Sequence, residues 1–199
     1  MKKINNMFVW DADETLGSFG SLDEINIMME KYLNRELTQK EIFILLDIFP
    51  EILRPNIIKV LSGLKRQKNK KGTKIIIYTN NNGPNKWIDT MKTYIENKAG
   101  KGLFDKVIRA YKINGKQIEQ NRTTDAKTYD DLKKCMGVEE IRNVCFIDDQ
   151  AHDLFYDDHV DGLHIPPYFK TFTKEEVSER LLTSNFLKPD SDKNYFIWF

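Results

Sequence analysis

Phe8-Val9-Trp10-Asp11-Ala12-Asp13-Glu14-Thr15-Leu16-Gly17 organises this chain. A short apolar run leads into two aspartates one residue apart, then a threonine and a glycine. Side chains alternate across a strand, so in strand geometry Asp11 and Asp13 share a face. The apolar run predicts a buried strand over residues 4–11, after which the chain must turn. Two carboxylates crowded together at a strand end repel each other. They settle when a cation or a shared proton sits between them. A chemical site is therefore expected at this strand end, and the rest of the chain has to complete it.

Working outward, three more apolar runs end in polar residues. Lys74 to Tyr78 predicts a second buried strand, closing at Thr79-Asn80-Asn81-Asn82-Gly83-Pro84. Residues 105–111 predict a third. Val144-Cys145-Phe146-Ile147 predicts a fourth, closing at Asp148-Asp149, and residues 162–165 offer a short fifth before Pro166-Pro167. Helical spacing covers residues 56–66, 85–98, 126–136 and 173–182, the last opening on a Thr173–Glu176 capping box. Asn114-Gly115 inside residues 111–118 predicts a hairpin with a type I′ turn. Residues 17–20 read as a tight loop. Ser21–Glu24 and Thr38–Glu41 are possible capping boxes, so residues 18–53 read as a helical insert within a single domain spanning 1–199. Alternating strands and helices imply an α/β fold, a mostly parallel sheet covered on both sides.

The totals exclude several function classes. The chain has 199 residues, of which 40% are hydrophobic and 31% charged, with a formal net charge of +1. No global field draws it to nucleic acid or to an anionic membrane. The basic run from Lys65 to Lys74 lacks interleaved aromatics and reads as a solvated helix end. No apolar run approaches the ~20 residues of a membrane span, and no signal-peptide core follows Met1. Cys135 and Cys145 are too few for a disulfide framework, so a reducing compartment, cytoplasmic or nuclear, is expected. His152, His159 and His164 lack metal-site spacing with the cysteines and read as loop or packing residues. The apolar tail Tyr195-Phe196-Ile197-Trp198-Phe199 reads as packing on the body, with a partner-docking segment as the alternative.

In open α/β sheets, ligands bind beyond the carboxyl ends of the strands, where strand order reverses. If the second and third strands lie to one side of the first, the fourth lies on the other, and Asp11 meets Asp148 across a crevice. Asp11-Ala12-Asp13-Glu14-Thr15, then Thr79, then Lys127, then Asp148-Asp149 resembles the four motifs of the haloacid dehalogenase (HAD) superfamily of phosphatases. The four occur in that family's order over about residues 4–165. One Asp-x-Asp-x-Thr alone arises easily by chance; four in order are specific.

The resemblance implies a Rossmann-like HAD core and a Mg²⁺-dependent phosphomonoester hydrolase. Asp11 would be the nucleophile, forming an aspartyl-phosphate, and a metal ligand. Asp13 would be the general acid and base, its backbone carbonyl a further metal ligand. Asp148 would bind the metal, with Asp149 a ligand or orienter. Thr79 and the amide of Asn80 would hold the phosphoryl oxygens, Lys127 would neutralise nucleophile and phosphate, and Thr15 would hold Asp13. Lys133 and Lys134 compete with Lys127 for the lysine position, and Asp153 either extends the acidic motif or opens a helix. The chemistry is sound on its own terms: a carboxylate attacking an anionic ester needs a cation to shield both.

Asp-x-Asp-Glu-Thr-Leu, Arg54-Pro55 and Asp148-Asp149 resemble the branch acting on the RNA polymerase C-terminal domain, which implies a phosphorylated protein segment as substrate. Ala12, the Thr79–Asn82 stretch and the insert depart from that branch. A cap-type insert over 18–53 would instead favour a sugar or nucleotide phosphate. A non-catalytic binding module is the third reading, against which stands the presence of both Asp11 and Asp13. Neither membrane nor nucleic acid is expected as a partner.

Overall fold

The structure is a computed structural model; it describes residues 2–187 except 72, 84 and 185, and in addition leaves the side chains of 69–71 and 85 undescribed. The aromatic tail at 195–199 lies outside the described residues. The chain divides into two compact units, one formed by residues 2–17 and Arg54–Tyr168, the other by Ser18–Leu53 and the chain from Phe169 onward.

The first unit is built on β1 (Lys3–Trp10), β2 (Lys74–Tyr78), β3 (Lys106–Ile108), and further along β6 (Glu140–Asp148) and β7 (Val160–His164). These pair in the order β3-β2-β1-β6-β7, every pairing parallel. Trp10 stands beside Ile77 on one side and Ile147 on the other. Strand order reverses between β1 and β6, with β2 and β3 to one side of β1 and β6 on the other, and helices flank the sheet. Alternation sends Met7, Val9, Ile76, Tyr78, Val144 and Phe146 to one face. There they form a core with Tyr129, Leu132 and Cys135 of α5 (Tyr129–Met136) and with Leu154. On the far side of the chain's middle, α3 (Ile57–Lys71) packs against α4 (Asn85–Ala99).

Two expected elements are shorter than predicted. The third strand stops at Ile108 rather than 111, because the chain is already committed to the hairpin of β4 (Lys112–Ile113) and β5 (Lys116–Gln117). The carbonyls of Ala110 and Tyr111 accept from Glu119 and Ile118, and the Arg109 carbonyl is taken by the Arg122 guanidinium. Asn114 and Gly115 both have positive φ, 49° and 78°, as a type I′ turn requires. The helix expected from 126 begins at Tyr129, capped by the Thr128 hydroxyl. Lys127 therefore precedes the helix instead of opening it.

The second unit holds α1 (Phe19–Leu33), α2 (Gln39–Ile48) and α6 (Lys174–Thr183). Helix α1 starts at Phe19, so the capping box expected at Ser21–Glu24 is not used; burial of Phe19 and Leu22 draws the start back one turn. The Thr38–Glu41 and Thr173–Glu176 boxes form as predicted. The 18–53 segment shares this unit with α6, which buries Val177 and Leu181 and pairs Arg180 with Glu51 at 2.9 Å. Among the described residues no helix is long and apolar enough to cross a membrane.

Candidate metal centre

The site lies within the first unit, at the carboxyl ends of β1, β2 and β6. Asp11 follows β1 directly, and its N–H donates to the Ile147 carbonyl at 2.9 Å, so the β1–β6 pairing itself delivers Asp11 beside Asp148. Asp11, Asp148 and Asp149 each offer a carboxylate oxygen, and these oxygens lie within 4.8 Å of one another. The donors are hard oxygens suited to Mg²⁺, Ca²⁺ or Mn²⁺. This set can hold a metal ion.

Lys127 is fully buried, and its Nζ donates to Asp11 Oδ1 at 2.5 Å and to Asp148 Oδ2 at 2.6 Å. Its walls are the rings of Tyr78 and Phe146, 5.9 Å and 5.8 Å away. Three carboxylates and one ammonium carry a formal charge of −2, which a divalent cation cancels. Burial, opposed by Lys127 and reinforced by Asp148, pushes the Asp11 carboxyl up to about 7. Lys133 and Lys134 are occupied elsewhere, on Asp130 and Asp131, so Lys127 is the lysine of the site.

The Asp13 carboxylate is not one of this set. Burial raises its pKa, while a 2.9 Å hydrogen bond from Asn81 Nδ2 pulls the other way. The Asp13 carbonyl accepts from Thr15 N–H at 2.6 Å, which leaves one lone pair for another partner. Thr15 thus meets Asp13 through its backbone N–H, while its hydroxyl donates to Asp149 Oδ1 at 3.0 Å. The reason is the tight turn: Glu14 takes a left-handed φ of 54°, and the Leu16 N–H reaches back to the Ala12 carbonyl, which turns Thr15 toward the β6 end. Arg54 pins that turn, Nε donating to the Thr15 carbonyl at 2.7 Å and Nη2 to the Glu14 carbonyl at 2.5 Å and the Pro166 carbonyl at 2.8 Å.

Thr79 is buried, and its hydroxyl oxygen accepts from Asn81 N–H at 3.0 Å, so its own O–H remains to donate. Asn80 turns its side chain to the Asp125 carbonyl at 3.0 Å.

Comparison with family models and with curated proteins gives no match.

Three site residues were not singled out by the sequence reading. Asn81 contacts Asp13. His152, read as a loop or packing residue, places Nε2 3.5 Å from Asp148 Oδ2, and burial together with Lys127 lowers its pKa. Arg122 is fully buried, donating to the carbonyls of Arg109 and Asp125 at 2.8 Å and to those of Thr79 and Ala126 at 3.4 and 3.3 Å. It ties the end of β2 to the loop carrying Lys127. The His164 Nε2–H donates to the Asp149 carbonyl, 2.8 Å away, while His159 stacks on Tyr129. Asp153 opens a short 3₁₀ turn rather than extending the acidic cluster.

Proposed function

We propose that this chain is a Mg²⁺-dependent phosphomonoester hydrolase of the HAD type, working through an aspartyl-phosphate on Asp11. The single observation that carries the reading is the juxtaposition of Asp11, Asp148 and Asp149 around a buried lysine, with a second acidic residue, Asp13, two positions from the nucleophile.

Asp11 attacks phosphorus with a carboxylate oxygen, and the ester P–O bond breaks. Asp13 gives its proton to the leaving oxygen; as the base of the second step it takes a proton from the water that releases phosphate and regenerates Asp11. Thr79, by its free O–H, and Lys127, by its charge, bind the phosphoryl oxygens. Bound Mg²⁺ neutralises charge on the nucleophile and the phosphoryl group. Thr15 and Arg54 keep the turn around Asp13 and the Asp149 carboxylate in place.

The favoured substrate is a phosphorylated Ser or Thr in a protein segment, resting on Asp11-Ala12-Asp13-Glu14-Thr15-Leu16 and Arg54-Pro55. A second reading, a small sugar or nucleotide phosphate, is favoured by the separate compact unit that the 18–53 insert helps to build. The test is hydrolysis of p-nitrophenyl phosphate with Mg²⁺. Activity should vanish with EDTA and in Asp11→Asn; full activity in that variant removes the nucleophile assignment. A parallel panel of phosphopeptides and phosphometabolites then separates the two substrate classes.

A further inference from the structure

We propose that Asn81 is the positioning residue for Asp13, fixing the plane of its carboxyl group so that one named oxygen faces the leaving group. The role rests on the phosphomonoesterase reading above. Asn81 Nδ2 donates to Asp13 Oδ2 at 2.9 Å. The amide cannot be turned over without loss, because Asn81 Oδ1 accepts from the Gly83 N–H at 2.9 Å. A flip would set N–H against N–H and carbonyl against carboxylate. The backbone is held as well, since Asn81 N–H donates to Thr79 Oγ1 at 3.0 Å. A compact turn thus links the phosphoryl-binding threonine to the proton-donating aspartate through one side chain.

The consequence is directional. With Oδ2 engaged by Asn81, Asp13 Oδ1 is the oxygen left to carry a proton toward the substrate. When the ester P–O bond breaks, that proton passes from Oδ1 to the departing oxygen and the alcohol leaves; Asp13 stays as carboxylate, held by Asn81. In the second step the attacking water returns a proton to the same oxygen. Gly83 makes the arrangement possible: a Cβ there would stand 2.9 Å from Asn81 Oδ1, closer than side chains tolerate.

The experiment uses three variants and two esters. Asn81→Asp keeps the acceptor for Gly83 and the side-chain volume but removes the donor; Asn81→Ala removes both; Gly83→Ala displaces the amide without touching its chemistry. An aryl ester with an acidic phenol departs with little proton help, whereas an alkyl phosphate needs it. General acid help is typically 10²–10⁴-fold. The variants should therefore lose at least about 10-fold in kcat on the alkyl phosphate and less than about 3-fold on p-nitrophenyl phosphate. A merely structural role would lower both equally, and that result overturns the proposal. The Asn81 side-chain amide signal in ¹⁵N NMR supplies a readout independent of turnover: in Asp13→Ala one amide proton should move upfield and exchange faster with water. An unchanged signal overturns the contact itself. If the wild-type protein hydrolyses neither ester, the phosphatase reading falls and takes the catalytic role with it, whatever the NMR shows.

Discussion

Lys127→Met is the perturbation that bears most directly on the site. Methionine keeps most of the length and apolar stem of the lysine, so packing against Tyr78 and Phe146 is largely retained. What disappears is the charge bonded to Asp11 at 2.5 Å and to Asp148 at 2.6 Å. Removing one partner of a buried ion pair typically costs about 3–5 kcal/mol, because the other charge stays buried. For a chain of this size each kcal/mol is worth roughly 2–4 °C, so the melting temperature without divalent cations should fall by roughly 6–20 °C at pH 8.

The pH dependence gives the sign. The folded Asp11 carboxyl titrates at about 7, against an ordinary value of 3.8, so between those values the folded state holds a proton that the unfolded chain has lost. The associated stability is present below about pH 4 and is lost as pH rises through 7. Lys127 pulls this carboxyl down, so its removal pushes the titration further up, and the deficit of the variant is largest at pH 8 and shrinks toward pH 5. Mg²⁺ should shrink it too, because a cation in the Asp11–Asp148–Asp149 set replaces the missing charge. Circular-dichroism melts at pH 5 and pH 8, with EDTA or Mg²⁺, read all four cases. An equal loss in all four would mean that Lys127 matters only through packing, and would refute the counter-ion argument.

Asp148→Asn should abolish most of the stabilisation by Mg²⁺ in the same melts; a variant that keeps the full Mg²⁺ shift is incompatible with Asp148 as a ligand. Asp11→Asn should flatten the decline in metal-free stability between pH 4 and pH 7, measured as the urea midpoint, because it removes the carboxyl that burial pushes up. Arg122→Met should destabilise by at least about 3 kcal/mol, since hydrogen bonds to a charged group are worth ~1.5–3 kcal/mol and four carbonyls lose theirs; a shift under 1 °C in melting temperature would contradict this. Gly115→Ala, at φ 78°, should cost about 1 kcal/mol in the same melts.

The parallel sheet and its switch point were legible because they depend on pattern: apolar runs of strand length, each ending in polar residues, with helical spacing between. The meeting of Asp11 and Asp148 follows from the same pattern, since both are the first residues past, or the last of, neighbouring central strands. Lys127 was legible by its place in the polar loop, but its partners were not: the helix begins after it and its Nζ pairs with Asp11 and Asp148, while Lys133 and Lys134 pair with Asp130 and Asp131.

Asn81, Arg54 and Arg122 act through a different kind of information. Arg54 and Arg122 make their hydrogen bonds to backbone carbonyls, of Glu14, Thr15 and Pro166 in one case and of Thr79, Arg109, Asp125 and Ala126 in the other. A carbonyl is present at every residue, so such partners leave no trace in side-chain spacing. Asn81 sits in a run of three asparagines, any of which suits a turn. Only the Asx turn to Gly83 selects which one aims its amide at Asp13. The carboxylates of this site are thus fixed by the sheet, while the groups that orient them are fixed by turns. A change confined to the Thr79–Gly83 turn should therefore alter proton transfer with little effect on metal binding.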